Sequence, residues 1–150
     1  MIEFKNAKPE DSKVLFELMS GLAKHHHQVE SLKTNPKIIA KVLEDSYPKI
    51  EALFVYHQNE VAGYVSYYNK YSIWLGTKHL YIDDVFILKR FRGMKIGKAL
   101  MHKIQEIGRH LDTDIIKWEV EIDNARAIKF YRSLGAKLHH KGMFQWKINE

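Results

Sequence analysis

The sequence predicts an α/β fold: one domain with a mixed, mostly antiparallel, twisted sheet and helices on both faces. Three observations support this prediction. Over residues 85–100 an apolar, strand-like run passes through a basic, glycine-containing turn directly into an amphipathic helix. Two apolar runs, 53–57 and 61–68, flank a short polar turn, as in a hairpin. A further run, 116–122, alternates apolar and charged residues, which is typical of a half-buried strand.

The N-terminal half is predicted to hold a strand and two helices before the hairpin. Residues 2–5 alternate as a short strand. Pro9-Glu10-Asp11 places proline and acidic residues at the head of a helix, whose apolar positions then recur every three to four residues. Asn35-Pro36 predicts the start of a second helix, which extends to about Asp45.

The C-terminal half continues the alternation of strands and helices. A longer strand is predicted over 79–88 and a helix over 97–111. Asn124 is expected to cap another helix, which ends at Leu134-Gly135 because glycine is favoured just past a helix terminus. A final strand is predicted over 143–148.

Composition limits the possible functions. The 150 residues include no cysteine, so the chain has no disulfide framework, no thiolate nucleophile and no cysteine-type zinc site. No apolar run approaches the ~20 residues that span a bilayer. We therefore expect a soluble cytoplasmic protein that does not bind membranes. The net charge of +6 favours an anionic partner, either a nucleotide cofactor or a nucleic acid.

The strand-to-helix turn is predicted to bind a diphosphate. Consecutive backbone N–H groups at such a turn can surround an anion, and the helix N-terminus adds about half a positive charge. Arg92, Lys95 and Lys98 add full charges. The glycine spacing fits neither a P-loop nor a dinucleotide-binding fingerprint. The alternative is an ordinary turn between a strand and a helix.

The segment Arg92-Gly93-Met94-Lys95-Ile96-Gly97 resembles the Arg/Gln-x-x-Gly-x-Gly/Ala loop of the GCN5-related N-acetyltransferases (GNAT), which bind acetyl-coenzyme A. Lys95 stands where the family usually has glycine, which is acceptable if its φ stays negative. Further segments fall in the order and spacing of the spermidine/spermine (diamine) N-acetyltransferase branch and its bacterial relatives. These are residues 22–24, 63–68, 74–76, 80–86 and 124–131.

The resemblance implies one GNAT domain over residues 1–150, acetyl-coenzyme A as cosubstrate and no metal. It also implies direct transfer in a ternary complex, and a homodimer. In the family, a strand splays from its neighbour before the loop, and a free N–H near Phe86–Ile87 contacts the cofactor. The implied cofactor-binding residues are Val85, Phe86, Ile87, Arg92, Gly93, Met94, Lys95, Ile96, Gly97, Lys98, Asn124, Arg126 and Ala127.

Tyr131 is the candidate general acid. Aminolysis of a thioester requires a proton for the departing thiolate, and a phenol with a pKa of about 10 can donate it when held near the sulfur. The resemblance places the tyrosine of the Phe130-Tyr131 pair beside the cofactor. The alternative is that Tyr131 packs in the core, because Ile128 and Leu134 belong to the same amphipathic face.

Asp83 and Asp84 are candidates for binding the acceptor amine, together with Glu119. Two acids in an apolar strand are costly to bury without a positive partner, and a cationic amine is such a partner. Because neighbours on a strand point to opposite faces, only one of the pair is expected to line a given pocket. The resemblance assigns amine binding and deprotonation to Asp83. The alternative is that both acids lie at a bulge or an exposed strand end.

His25-His26-His27 is predicted to be a solvated helix end, because consecutive helical residues point about 100° apart and cannot converge on one metal ion. Relatives that acetylate polyamines tend to be acidic at these positions and near Lys141. We therefore expect a small mono- or diamine, or a lysine-like amino acid, to be preferred over spermine.

The expected function is acetyl transfer from acetyl-coenzyme A to a primary amine of a small molecule: a diamine, a polyamine or a lysine-like amino acid. Three alternatives remain: a catalytically silent coenzyme A sensor, a GNAT enzyme acting on a protein or peptide amine, and a small nucleic-acid-binding module. The last is disfavoured because Glu119, Glu121 and Asp123 interrupt the basic residues.

Overall fold

A five-stranded sheet organises the first of two compact units, Met1–Glu119, and the second unit is Val120–Glu150. The computed structural model describes residues 1–47 and 49–149. The strand order is sequential, the first three pairings are antiparallel, and the last is parallel. The strands are β1 (Ile2–Asn6), β2 (Ile50–His57), β3 (Glu60–Ser72), β4 (Thr77–Ile87) and β5 (Ile116–Lys117).

The helices begin and end close to the predicted positions, because their capping residues act as expected. Asn35 accepts a hydrogen bond from the Ile38 N–H at 3.0 Å, and Asn124 accepts one from the Ala127 N–H at 3.2 Å. The helices are α1 (Ser12–His25), α2 (Pro36–Glu44), α3 (Ile96–His110) and α4 (Ala125–Ser133), and a short 3-10 turn, Pro9–Asp11, precedes α1.

Helices cover both faces of the sheet, as predicted. On one face α1 and α2 pack on a buried cluster that includes Phe54, Tyr64 and Phe86. On the other face α3 rests directly on β4, since a Cβ added at Gly108 would lie 3.4 Å from Leu80 Cδ1. The sheet is therefore a central layer covered by different helices on its two faces.

A β-bulge interrupts the β3–β4 ladder at Asp83. Ser66 pairs with Asp84, but the next residue of β3, Tyr67, pairs with Ile82, so Asp83 is an extra residue on β4. The parallel pairing with β5 ends at Tyr81. Between Ile82 and Ile87, β4 thus has no strand neighbour on its β5 side among residues 1–47 and 49–149.

Two predicted strands are wrong in extent or existence. The strand predicted over 116–122 is limited to β5, because the ladder with β4 stops just before the bulge. Residues 143–148 are not a strand, and Phe144, Trp146 and Ile148 are exposed. Alternation of apolar residues describes one face of a segment, but a strand also needs a hydrogen-bonded neighbour.

Candidate active site

The basic loop, residues 92–98, ends in the free N–H groups of a helix. The first intrahelical bond of α3 runs from the Ala99 N–H to the Lys95 carbonyl at 3.1 Å, so the amides of Ile96, Gly97 and Lys98 lie ahead of the helical ladder. Ile96 is buried and anchors this terminus to the core. The amides and the helix dipole together provide the anion-binding geometry expected from the sequence.

Two residues of the basic loop have left-handed backbone. Gly93 has a φ of 80°, and Lys95, the N-cap of α3, has a φ of 63°. The expectation that Lys95 keeps a negative φ is therefore wrong. The chain must reverse here to bring successive N–H groups to one side, and that reversal uses the conformation for which glycine is suited.

Arg92, the first residue of the basic loop, contacts the end of β4. Its Nε donates a hydrogen bond to the Ile87 carbonyl at 2.9 Å, and its guanidinium lies 5.7 Å from the centre of the Phe86 ring. The side chain thereby ties the loop to the end of β4. Met94, by contrast, is exposed at the tip of the loop.

The predicted cofactor contacts on β4 are positioned by their backbone. The Phe86 ring is only 7% exposed and belongs to the core, so it can offer a ligand only main-chain atoms. Val85 and Ile87 are half-buried and pair regularly with β3. The expected splay of β4 from a neighbour is seen on its β5 side, where pairing ends at Tyr81, and a separate bulge in the ladder with β3 lies at Asp83.

The acid cluster, defined as Asp83, Asp84 and Glu119, lies on the strand that leads to the basic loop and on the segment after β5. The Asp84 N–H donates to Ser66 Oγ at 3.1 Å, and this hydroxyl lies 3.5 Å from Asp84 Oδ2. Burial and then the Asp83 charge raise the pKa of Asp84. Asp83 is exposed, and partial desolvation and then the Glu119 charge raise its pKa.

Both aspartates influence tyrosines of one face of the sheet, and they lie at a bulge, the alternative left open by the sequence. Tyr64 and Tyr68 are four residues apart on β3, an even spacing, and so share a face. Burial and then Asp84 raise the pKa of Tyr64, and Asp83 adds to this effect. Burial and then Asp83 raise the pKa of Tyr68. The bulge explains this, because the extra residue breaks the strict alternation of β4.

Three tyrosines form the wall beside the acid cluster, and sequence reasoning missed all of them as site residues. Tyr64 is buried, and its hydroxyl interacts with the Asp84 carboxylate. The rings of Tyr68 and Tyr81 lie 5.4 Å apart. Burial and the neighbouring Glu119 raise the pKa of Tyr81 to about 12. The available signal was the aromatic spacing of 64 and 68 on a strand that pairs with the acids.

The histidines at the end of α1 are exposed, as expected of a solvated helix end, but they lie close to the acid cluster. The His25 ring is 6.4 Å from the Phe86 ring, and the charge of His26 lowers the pKa of Asp84. Within the described ranges no group of three or more potential metal ligands forms. No helix there is both long and apolar enough to cross a bilayer.

The second unit holds the remaining predicted residues on α4. Burial raises the pKa of Tyr131 above its ordinary value, and the Phe130 and Tyr131 rings lie 5.3 Å apart. Asn124 caps α4 by accepting from the Ala127 N–H, so that amide is already used within the helix. Arg126 occupies the first turn of α4. The roles of Tyr131, Asn124, Arg126 and Ala127 stay predictions.

A loop that presents amides at a helix start, next to a bulged strand with acids, is the arrangement expected of an acetyltransferase. The model of the acetyltransferase (GNAT) family matches residues 16–136, so the chain belongs to that family. Solved structures agree on the fold. An aminoglycoside acetyltransferase from an uncultured soil metagenomic sample superposes with a TM-score of 0.81 at 19% identity, over 99% of both chains.

Curated relatives include enzymes of the branch that the sequence resembles. A thialysine N-epsilon-acetyltransferase from Bos taurus is 32% identical over 77 residues, 51% of this chain and 45% of the bovine protein. The Caenorhabditis elegans protein of that name is 25% identical over 86% of this chain and 79% of its own length. A human spermidine/spermine N(1)-acetyltransferase-like protein 1 is 30% identical over 49% of this chain and 10% of its own. The chain thus spans less than half of the bovine relative.

Proposed function

We propose that this chain is a single acetyltransferase domain that moves acetyl from acetyl-coenzyme A to a primary amine of a small molecule. One observation carries the proposal: β4 carries two adjacent aspartates, Asp83 exposed and Asp84 half-buried, about ten residues before an anion-binding helix start. The first feature suits a cationic acceptor, and the second suits the diphosphate of the donor.

The donor end of the site is supported by the basic loop. The amides of Ile96, Gly97 and Lys98 point out of the start of α3, and Lys95 and Lys98 add positive charge. The unpaired edge of β4 beyond Tyr81 leaves main-chain groups near Ile87 available to the pantetheine arm. These features fit coenzyme A, whose bound thioester supplies the reactive acetyl group.

The acceptor end is supported by the acid cluster. The carboxylates of Asp83 and Asp84 attract the ammonium form of the amine, and their raised pKa values make them better proton acceptors. The neutral amine then attacks the acetyl carbonyl carbon, so that a C–N bond forms and the C–S bond breaks. In the proposal Tyr131 gives its proton to the leaving thiolate.

The acceptor class we propose is supported by charge and by the names of the relatives. Two curated relatives are named for thialysine and for spermidine or spermine, which are small amines. In this chain the positive charge of His26 acts on Asp84. This charge disfavours an acceptor that brings a further positive charge to the site. We expect small mono- and diamines or lysine-like amino acids to react with a higher kcat/KM than spermine.

A thiol-release assay with a panel of amines tests the function, and Gly93→Asp tests the donor site. A carboxylate at position 93 would stand among the amides of the basic loop, so calorimetry should show that coenzyme A binding is lost. Gly76→Asp is the matched control, since Gly76 also has a positive φ and open space around its Cα. Unchanged coenzyme A affinity in Gly93→Asp would contradict the assignment of the loop as the diphosphate site. If no amine of the panel causes thiol release, the proposed acetyltransferase activity is contradicted.

A further inference from the structure

The far end of the β3–β4 ladder holds a positively charged cavity of about 470 Å³, named here the cationic pocket. Sequence patterns did not indicate it, because its residues come from three strands that meet only in the folded sheet. Its lining includes Lys70, Ser72, Trp74, His79, Tyr81 and Lys117. All of them belong to the first unit.

The cationic pocket and the acid cluster lie along the same face of the sheet. Positions 66, 68 and 70 of β3 share a face because strand side chains alternate. Ser66 contacts Asp84, the Tyr68 ring lies against the Tyr81 ring, and Lys70 Nζ is 5.6 Å from the centre of the Tyr81 ring. The face therefore runs from negative charge, across two tyrosines, to positive charge.

His79 gives the pocket an unpartnered polar atom. Its side chain is only 4% exposed, and its Nδ1 has no hydrogen-bond partner among the residues described. Burial, then Lys117 and Lys70, lower its pKa. None of the salt bridges formed by the described residues includes Lys70 or Lys117. An anion would provide the partner that this group of cations lacks.

The separation of the two ends matches a particular kind of molecule. Asp83 is two residues beyond Tyr81 on β4, a rise of about 7 Å. Lys70 Nζ lies at the level of Tyr81. In an extended lysine-like amino acid, the side-chain nitrogen and the carboxylate are about 7–8 Å apart. The rings of Tyr68 and Tyr81 offer an apolar surface to the methylenes between them.

We propose that the cationic pocket binds the carboxylate of the acceptor, so that the acceptor is a lysine-like amino acid whose side-chain amine meets Asp83 and Asp84. The inference rests on the proposed function and narrows it. A diamine of equal length places its second ammonium beside Lys70 and Lys117 with no carboxylate to offset it, whereas the α-ammonium of a lysine-like amino acid is accompanied by its carboxylate. Polyamines are disfavoured for the same reason, because like charges in one site repel.

Lysine and cadaverine are the matched substrates, because they differ only in the carboxylate. We expect kcat/KM for lysine to exceed that for cadaverine by about 10-fold or more, the scale of a charge-assisted contact. The double variant Lys70→Gln/Lys117→Gln should lower the value for lysine by about 10-fold and leave that for cadaverine unchanged or raised. Lys78→Gln is the control, since it removes a charge next to His79 from a side chain outside the lining.

Nuclear magnetic resonance of His79 measures ligand binding in the cationic pocket independently of catalysis. With no acetyl donor present, lysine should raise the pKa of His79, because its carboxylate offsets the effect of Lys70 and Lys117. Cadaverine should not raise it, and the double variant should abolish the response to lysine.

The outcomes separate the two proposals. If no amine is acetylated, the proposed function falls and takes the acceptor assignment with it. If amines are acetylated but cadaverine equals lysine, or the double variant changes both alike, the pocket assignment is overturned while the function stands. A His79 that responds to inorganic phosphate but not to lysine would likewise overturn it.

Discussion

At Lys95 the backbone takes a left-handed conformation that lysine adopts only at a cost, and at Asp83 an extra residue changes which way two acids face. Both are departures from regular geometry, and both fall inside the proposed site. Strained or irregular backbone persists where the surrounding structure holds it in place, as the buried Ile96 does here. At these two residues the proposed site therefore uses a backbone conformation that local preferences do not favour.

Replacing Lys95 separates the backbone strain from the charge. Lys95→Ala removes the ammonium and keeps a β-carbon, whereas Lys95→Gly removes both. Because a left-handed residue other than glycine costs roughly 1–2 kcal/mol, the glycine variant should unfold with a free energy about 1 kcal/mol higher than the alanine variant. Urea denaturation measures this difference. Equal stabilities would show that the loop relaxes in solution.

Removing the charge of Asp84 should stabilise the fold while impairing catalysis. Because burial and Asp83 raise its pKa in the folded state, the folded state binds the proton more tightly than the unfolded one. The favourable contribution is fully present below the unfolded pKa and is lost as pH rises through the folded pKa. Asp84→Asn should therefore gain stability of about 1 kcal/mol or less at pH 7, and less near pH 4.

Thermal denaturation of Asp84→Asn at both pH values checks this sign. The exposed Asp114→Asn is the matched control and should show no such pH-dependent gain. A loss of stability at pH 7 would mean that the Asp84 carboxylate makes favourable contacts in the folded state that outweigh its desolvation.

At the scale of elements, the β3–β4 ladder positions the whole acceptor end. It carries the bulge at Asp83, the tyrosine wall and the cationic pocket, and its own close packing depends on Gly63. A Cβ at Gly63 would overlap the Phe86 carbonyl oxygen. Since Phe86 also packs on α1, the register of β4 and the position of its neighbouring residues are linked to the core.

Gly63→Ala should cost about 1–3 kcal/mol, the range for an overpacked core position. It should also lower kcat/KM by displacing β4 beneath the acid cluster. Gly142→Ala is the control, because nothing lies within 4 Å of its added Cβ. Chemical denaturation of both variants gives the comparison, and an equal cost in the two would show that the ladder accommodates the methyl group.

At the scale of the molecule, the proposed reaction uses residues from both compact units. The anion-binding and acidic groups belong to Met1–Glu119, and the candidate general acid belongs to Val120–Glu150. The family model, which matches residues 16–136, extends across this boundary. The family match therefore includes residues of both units, and one domain over residues 1–150 stays a prediction.

Tyr131→Phe tests the contribution of the second unit. As a positioned general acid, Tyr131 should account for about 10²-fold or more in kcat, so the variant should lose that factor while coenzyme A still binds. Tyr47→Phe, on an exposed residue outside the cationic pocket, is the control. A kcat close to that of the unaltered protein would show that Tyr131 is a packing residue and that water or another group protonates the thiolate.

The sequence alone determined the elements that depend on local rules. The helix start at Asn35-Pro36 follows from a cap and a proline, and the hairpin follows from two apolar runs with a polar turn. The basic loop was also recognisable, because its glycines, charges and following helix are contiguous. Capping, turn chemistry and periodicity act within a few residues, so they can be recognised in the sequence without knowledge of the fold.

Only the tertiary structure decided the features that depend on distant neighbours. The bulge at Asp83 arises from the register between β3 and β4, and it breaks the simple alternation of side chains along β4. The segment 143–148 has a strand-like pattern without being a strand. The cationic pocket joins Lys70, His79 and Lys117 across three strands. Strand pairing is non-local, and a shift of one residue changes which face a side chain occupies, so these features were fixed only when the sheet formed.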